Sequence, residues 1–107
     1  MQFNEIRKEL KGLVFDTLRI DSDNYFEAVI VKNELAELTT RLQRLFGSPV
    51  QPSDKRLSLQ VQEMIKEFGG IRPDQSLYFW NEGKDAIFAM LWPWQDGLHT
   101  TVKIIQK

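Results

Sequence analysis

The fold is decided by residues 85–106, which read DAIFAMLWPWQDGLHTTVKIIQ. Two runs rich in β-branched and aromatic residues flank Asp96-Gly97, a dipeptide typical of a two-residue type I′ hairpin turn. Such a turn fixes the register of the two strands and sets Trp94 opposite His99. The other predicted pairs are Trp92 with Thr101, Leu91 with Val102, Met90 with Lys103 and Ala89 with Ile104.

The two faces of this strand pair differ in composition, because side chains alternate along both strands and opposed residues share a face. The first, called the aliphatic face below, is the expected seat of two helices and carries Ile87, Ala89, Leu91, Val102 and Ile104. The second, called the mixed face, carries Phe88, Met90, Trp92, Trp94, His99, Thr101, Lys103 and Ile105. Either Leu77 and Phe79 or Tyr78 and Trp80 extend it, since a one-residue slip in the preceding hairpin exchanges the faces.

The mixed face predicts an association surface, because aromatic residues and methionine interleaved with polar groups are typical of interfaces. Pro93 cannot donate to a sheet hydrogen bond, so Trp94 is expected to leave the strand and form an exposed tip. An equally weighted interpretation has the N-terminal helix or a strongly curved sheet cover this face. The predicted contact residues for a protein partner or a second copy are Phe88, Met90, Trp92, Trp94, His99, Thr101 and Lys103.

The first part of the chain predicts a helix and two strands. An apolar stripe from Phe3 to Leu13 indicates a helix, which Gly12 is placed to end as a left-handed cap. Strand-favouring residue types indicate a strand over residues 13–20, with a longer first helix as the alternative. A turn at residues 21–24 and a strand over residues 25–32 follow.

Two central helices and a short strand complete the pattern. Asn33 is the expected N-cap of a helix that Gly47 closes, and the next helix stops at Gly69-Gly70. With a strand over residues 76–81, the order is α-β-β-α-α-β-β-β. This order predicts a single α+β domain over residues 1–107. Its mainly antiparallel sheet combines a C-terminal three-stranded meander with an N-terminal strand pair, and both central helices pack on one face.

The composition disfavours nucleic-acid binding, cysteine chemistry and a membrane span. Fourteen basic and fifteen acidic residues give a net charge of −1, whereas nucleic-acid-binding proteins usually carry a clear basic excess. The absence of cysteine excludes disulfides, thiolate metal sites and a cysteine nucleophile. No apolar run approaches the roughly 18 residues of a membrane span. We therefore expect a cytoplasmic protein with no cofactor, no metal and no membrane partner.

Three other groups of residues have weaker signals for ligand binding or catalysis. Asp21 and Asp23 resemble the start of a calcium loop, but Phe26 and Lys32 occupy the positions that require glycine and glutamate, so this site is rejected. His99 is the only histidine. No serine lies in the motif of a nucleophilic triad, and no carboxylate lies at helical spacing from His99 to complete a metal site. A candidate anion site at one end of the helical pair, for which a solvated surface is the favoured explanation, consists of Arg41, Arg44, Lys55 and Arg56.

These patterns favour a non-enzymatic protein-interaction domain that uses the mixed face and forms a homodimer. The alternative is a small-molecule-binding domain or small enzyme with a pocket near His99, which would need a carboxylate converging on the imidazole. The third hypothesis is anion or nucleic-acid binding through the basic residues. No catalytic residue is assigned.

Overall fold

The computed structural model describes residues 1–52 and 56–107. Its elements are α1 (Phe3–Leu10), β1 (Thr17–Asp21), β2 (Tyr25–Val31), α2 (Lys32–Phe46), α3 (Leu59–Lys66), β3 (Ser76–Glu82), β4 (Asp85–Pro93) and β5 (His99–Gln106). The strands form one antiparallel sheet in the order β1-β2-β5-β4-β3. The predicted α+β class and element order are therefore confirmed. None of the helices in the described ranges is long and apolar enough to cross a membrane.

The predicted register of the β4–β5 hairpin is confirmed, since Leu91 pairs with Val102 and Trp92 pairs with Thr101. The turn is not type I′, which needs a positive φ at both central residues. Gly97 has a φ of 72°, but Asp96 does not have a positive φ. Residues 95–98 form a four-residue connection, closed by a 2.9 Å hydrogen bond from the Trp94 backbone N–H to the His99 carbonyl. The register is unchanged because this longer connection is centred on the same dipeptide.

The two central helices pack on opposite faces of the sheet. Leu38 and Leu42 of α2 are fully buried with α1 in the core on the aliphatic face. Ile65 of α3 packs instead against Phe88 and Met90 on the mixed face. The prediction that both helices share one face is therefore wrong. Because the sheet carries large apolar side chains on both faces, each face needs a cover.

The β3–β4 hairpin settles which residues extend the mixed face. Leu77 pairs with Met90 and Phe79 pairs with Phe88, so Leu77 and Phe79 join it. The neighbouring Tyr78 belongs to the core on the aliphatic face. The mixed face consequently continues into a second core beneath α3.

Two predicted helix caps are corrected. The first helix ends at Leu10, and Gly12 is not among the glycines with a positive φ. The absence of a side chain at Gly12 has another use, because a Cβ there would lie 2.8 Å from a guanidinium nitrogen of Arg41. Asn33 lies inside α2, whose N-cap is Val31 without a side-chain cap.

The predicted strand after α1 is confirmed, and the alternative of a longer first helix is wrong, although β1 is shorter than the predicted residues 13–20. It is an edge strand, and all five of its residues are exposed. Its pairing with β2 shifts register between Leu18 and Ile20. The bulge sets Leu18 opposite Ala28, on the aliphatic side, and Ile20 opposite Glu27, on the mixed side.

Candidate interaction surface

The structure divides the mixed face into a covered half and an open half. Phe88 and Met90 are fully buried beneath α3, and Phe68, just beyond α3, stacks edge-on against Phe88 at 5.6 Å. These two predicted contact residues are therefore core residues, and the predicted exposure is wrong for them. The cover is α3, whereas the equally weighted interpretation from the sequence named the N-terminal helix or a strongly curved sheet as the cover. The open half consists of the partly or fully exposed residues Glu27 on β2, His99 and Lys103 on β5, and Trp94 just beyond β4.

Trp94 is held in place over the open half. Its Nε1 donates a hydrogen bond to Thr101 Oγ1 at 2.8 Å, which accounts for the burial of Thr101 (6% exposed). The indole stacks on the His99 ring with centroids 4.8 Å apart, and the Arg19 guanidinium lies 5.9 Å from its centroid. Trp94 remains 39% exposed. It is therefore an ordered aromatic side chain with an accessible face.

Asp96 supplies the carboxylate beside His99 that the hypothesis of a pocket near His99 requires. Its Oδ2 lies 2.6 Å from His99 Nδ1, while Oδ1 accepts from the backbone N–H groups of Leu98 and His99. The backbone N–H of Leu98, followed by the His99 ring, lowers the pKa of Asp96 below its ordinary value of 3.8. The aspartate of a turn commonly bonds to the backbone that follows it, and this signal was present in the sequence.

A group of polar and charged side chains lies beside Trp94. Glu27 accepts a hydrogen bond from the Tyr25 hydroxyl at 2.8 Å and pairs with Arg19 at 3.3 Å. Partial burial, and secondarily the Glu27 carboxylate, raise the pKa of Tyr25 to about 12. Burial lowers the pKa of Lys103, whose Nζ lies 3.6 Å above the Trp92 ring. The place of Arg19 and Glu27 beside Trp94 was not predicted from the sequence, because it depends on the bulged β1–β2 pairing.

Two exposed apolar residues flank these polar residues. In the described ranges, six large hydrophobic residues are exposed: Val14 just before β1, Leu18 and Ile20 in β1, Leu59 on α3, and Trp94 and Leu98 at the hairpin tip. Ile20 shares the mixed side with Trp94, whereas Leu18 lies on the aliphatic side. Arg19 connects β1 with the hairpin tip, because it belongs to β1 and lies over Trp94. We call this surface the Trp94 corner. It consists of Arg19, Ile20, Trp94, Leu98 and His99.

The predicted anion site is not assembled from its arginines. Arg41 donates to the Glu9 carbonyl at 2.6 Å and pairs with Glu37, while Arg44 pairs with Glu9 at 3.5 Å. Both therefore tie α1 to α2. Arg56 lies on a separate cleft along α3. Lys55 lies outside the described residues.

Comparisons with known proteins supply no family. No protein-family model matches the chain, and neither a curated protein nor a solved structure is similar to it at a significant level.

Proposed function

We propose that the protein is a non-enzymatic protein-interaction domain and that the Trp94 corner is its binding surface. The observation that carries the proposal is one exposed tryptophan fixed by its contacts, with exposed Leu98 on the same hairpin tip and exposed Ile20 on the same side of the neighbouring edge strand. Interface hot spots are enriched in tryptophan and arginine set among apolar neighbours. Because Trp94 is already fixed by Thr101, His99 and Arg19, little side-chain entropy is lost when it meets a partner.

A second copy of the chain is the partner we favour. The corner and its rim carry both signs of charge, with Arg19 and Lys103 near Glu27 and Asp96, so the same surface on two copies can be complementary. The edge of β1 adds unpaired backbone groups next to it. Because β1 is short and bulged, side-chain contacts of the corner, more than an extended ladder, hold the dimer.

The test is a concentration series followed by size-exclusion chromatography with light scattering. We expect the wild type to self-associate, and Ile20→Ser or Leu98→Ser to weaken association about tenfold, from the apolar area lost at the interface. Leu59→Ser is the matched control, because Leu59 is 79% exposed but lies on α3. Far-ultraviolet circular dichroism checks that each variant is folded.

Two outcomes would count against this assignment. A wild-type mass that stays monomeric throughout the series removes the homodimer. Equal weakening by Leu59→Ser and Ile20→Ser would show that association depends on general surface hydrophobicity and not on the corner.

The alternative of a small enzyme with a pocket near His99 requires a carboxylate beside the imidazole, and Asp96 provides one. This alternative is nevertheless less well supported. Asp96 Oδ1 already accepts two backbone hydrogen bonds that build the turn, and the Asp96 side chain is 39% exposed. Catalytic acid–base pairs are usually desolvated so that their pKa values suit the reaction. The Asp96–His99 pair therefore supports the shape of the hairpin tip better than it supports catalysis.

A further inference from the structure

A cleft of about 990 Å³ runs along α3, away from the Trp94 corner. Its walls come from α3 and from the segments on either side of the helix, residues 56–57 and 69–73. The volume lies within the range of pockets that hold small molecules.

The lining combines apolar and cationic side chains. Leu57 and Ile71 contribute apolar surface, and both also pack against the second core. Three basic residues, Arg56, Lys66 and Arg72, line the cleft together with one acidic residue, Glu63. The described lining therefore favours a negatively charged ligand, although the chain as a whole carries a net charge of −1. Arginine is also well suited to bind planar or tetrahedral anionic groups through paired hydrogen bonds.

We propose that this cleft is a binding site for a small organic anion, with an apolar ring system against Leu57 and Ile71 and a carboxylate, sulfonate or phosphate on the basic residues. The site is independent of the proposed interaction function, because the Trp94 corner shares no residue with it. It also relocates the anion-binding hypothesis: among the sequence-named basic residues that the structure describes, Arg56 lies on the cleft and Arg41 and Arg44 do not.

Trp92 offers an internal reporter for occupancy. The Gly69 backbone lines the cleft, and a Cβ on Gly69 would lie only 2.9 Å from the Trp92 ring. The indole therefore lies directly behind the cleft wall. A fluorescent ligand in the cleft should accept energy from Trp92 on excitation of the protein.

The probe for the test is anilinonaphthalene sulfonate, and N-phenylnaphthylamine, which lacks the sulfonate, is its neutral counterpart. We expect the sulfonate probe to bind the full chain at one site, more tightly than the neutral probe and less tightly at high salt. Arg72→Gln and Lys66→Gln should each weaken it about tenfold, the effect of losing one charge-assisted hydrogen bond. Arg72→Lys, which keeps the charge, should recover part of the affinity.

Two controls locate the effect. Lys84→Gln removes a positive charge from the β3–β4 turn, and Leu98→Ser alters the Trp94 corner, so neither should change binding. The proposal is overturned if the sulfonate probe does not bind, if both probes bind equally and Arg72→Gln has no effect, or if Leu98→Ser abolishes binding. Thermal unfolding of each variant shows whether a loss of binding reflects a loss of fold.

Discussion

At the scale of single residues, the hairpin tip is organised by Asp96. One carboxylate oxygen accepts from two backbone N–H groups, and the other lies 2.6 Å from the His99 ring, which in turn stacks on Trp94. The chain Asp96–His99–Trp94 thus connects the turn to the exposed aromatic face of the corner. Removing the first member should loosen the last.

The lowered pKa of Asp96 predicts an acid-sensitive contribution to stability. A carboxyl whose pKa is lower in the folded than in the unfolded state stabilises the fold above its unfolded pKa, here 3.8. That contribution is lost as the pH falls through the lower, folded value. In urea titrations over this acidic range, Asp96→Asn should show a shallower loss of unfolding free energy with falling pH than the wild type.

Asp85→Asn, which changes an exposed aspartate at the start of β4, is the matched control, because it removes one carboxyl without altering the hairpin tip. If Asp96→Asn kept the wild-type slope, the hydrogen bonds of this carboxylate would not contribute to stability at the tip.

At the scale of elements, α3 determines how much of the mixed face is accessible. Its N-cap is Ser58, whose hydroxyl accepts a hydrogen bond from the Val61 N–H. Gly69 and Gly70, with φ values of 98° and 70°, follow its last turn. The Gly69 backbone lies against Trp92. The end of the helix is therefore seated directly on β4.

This seating predicts unequal effects for two neighbouring substitutions. Gly69→Ala and Gly70→Ala both place a side chain at a positive φ, which costs about 1–3 kcal/mol. Only Gly69→Ala also brings a Cβ to 2.9 Å from Trp92, whereas nothing lies within 4 Å of a Cβ at Gly70. We expect Gly69→Ala to lower the unfolding free energy by about 1 kcal/mol or more beyond Gly70→Ala, from overpacking.

Chemical denaturation monitored by tryptophan fluorescence measures both variants. Equal losses would mean that the ring of Trp92 shifts away without cost, and that the α3 terminus is not tightly seated on the sheet.

Features that depend on neighbouring residues could be predicted from the sequence. The register of Leu91 with Val102 followed from the position of Asp96-Gly97, and alternation then sorted the two faces. Prediction from the sequence was wrong where the structure depends on contacts between distant segments. No local pattern indicates that α3 packs over Phe88 and Met90. For the same reason the Arg19–Glu27 pair beside Trp94, which needs the bulged β1–β2 pairing, could not be foreseen.

At the scale of the whole molecule, the sheet separates two surfaces with different chemistry. Its β1 edge and the neighbouring hairpin tip carry the Trp94 corner, which is apolar with charges of both signs around it. The cleft along α3 carries mainly positive charge. Separate surfaces of this kind would let a dimer form without closing the cleft, so that one molecule could bind a partner and a small anion together.

The most direct test of the interaction surface follows the indole N–H signals of the three tryptophans by NMR as the protein is diluted. Trp94 lies in the proposed interface, while Trp80 packs against the core on the aliphatic face and Trp92 packs beneath α3. We predict that the Trp94 signal moves with concentration while those of Trp80 and Trp92 stay in place. A Trp94 signal that is independent of concentration, or a larger movement at Trp80, would contradict the account.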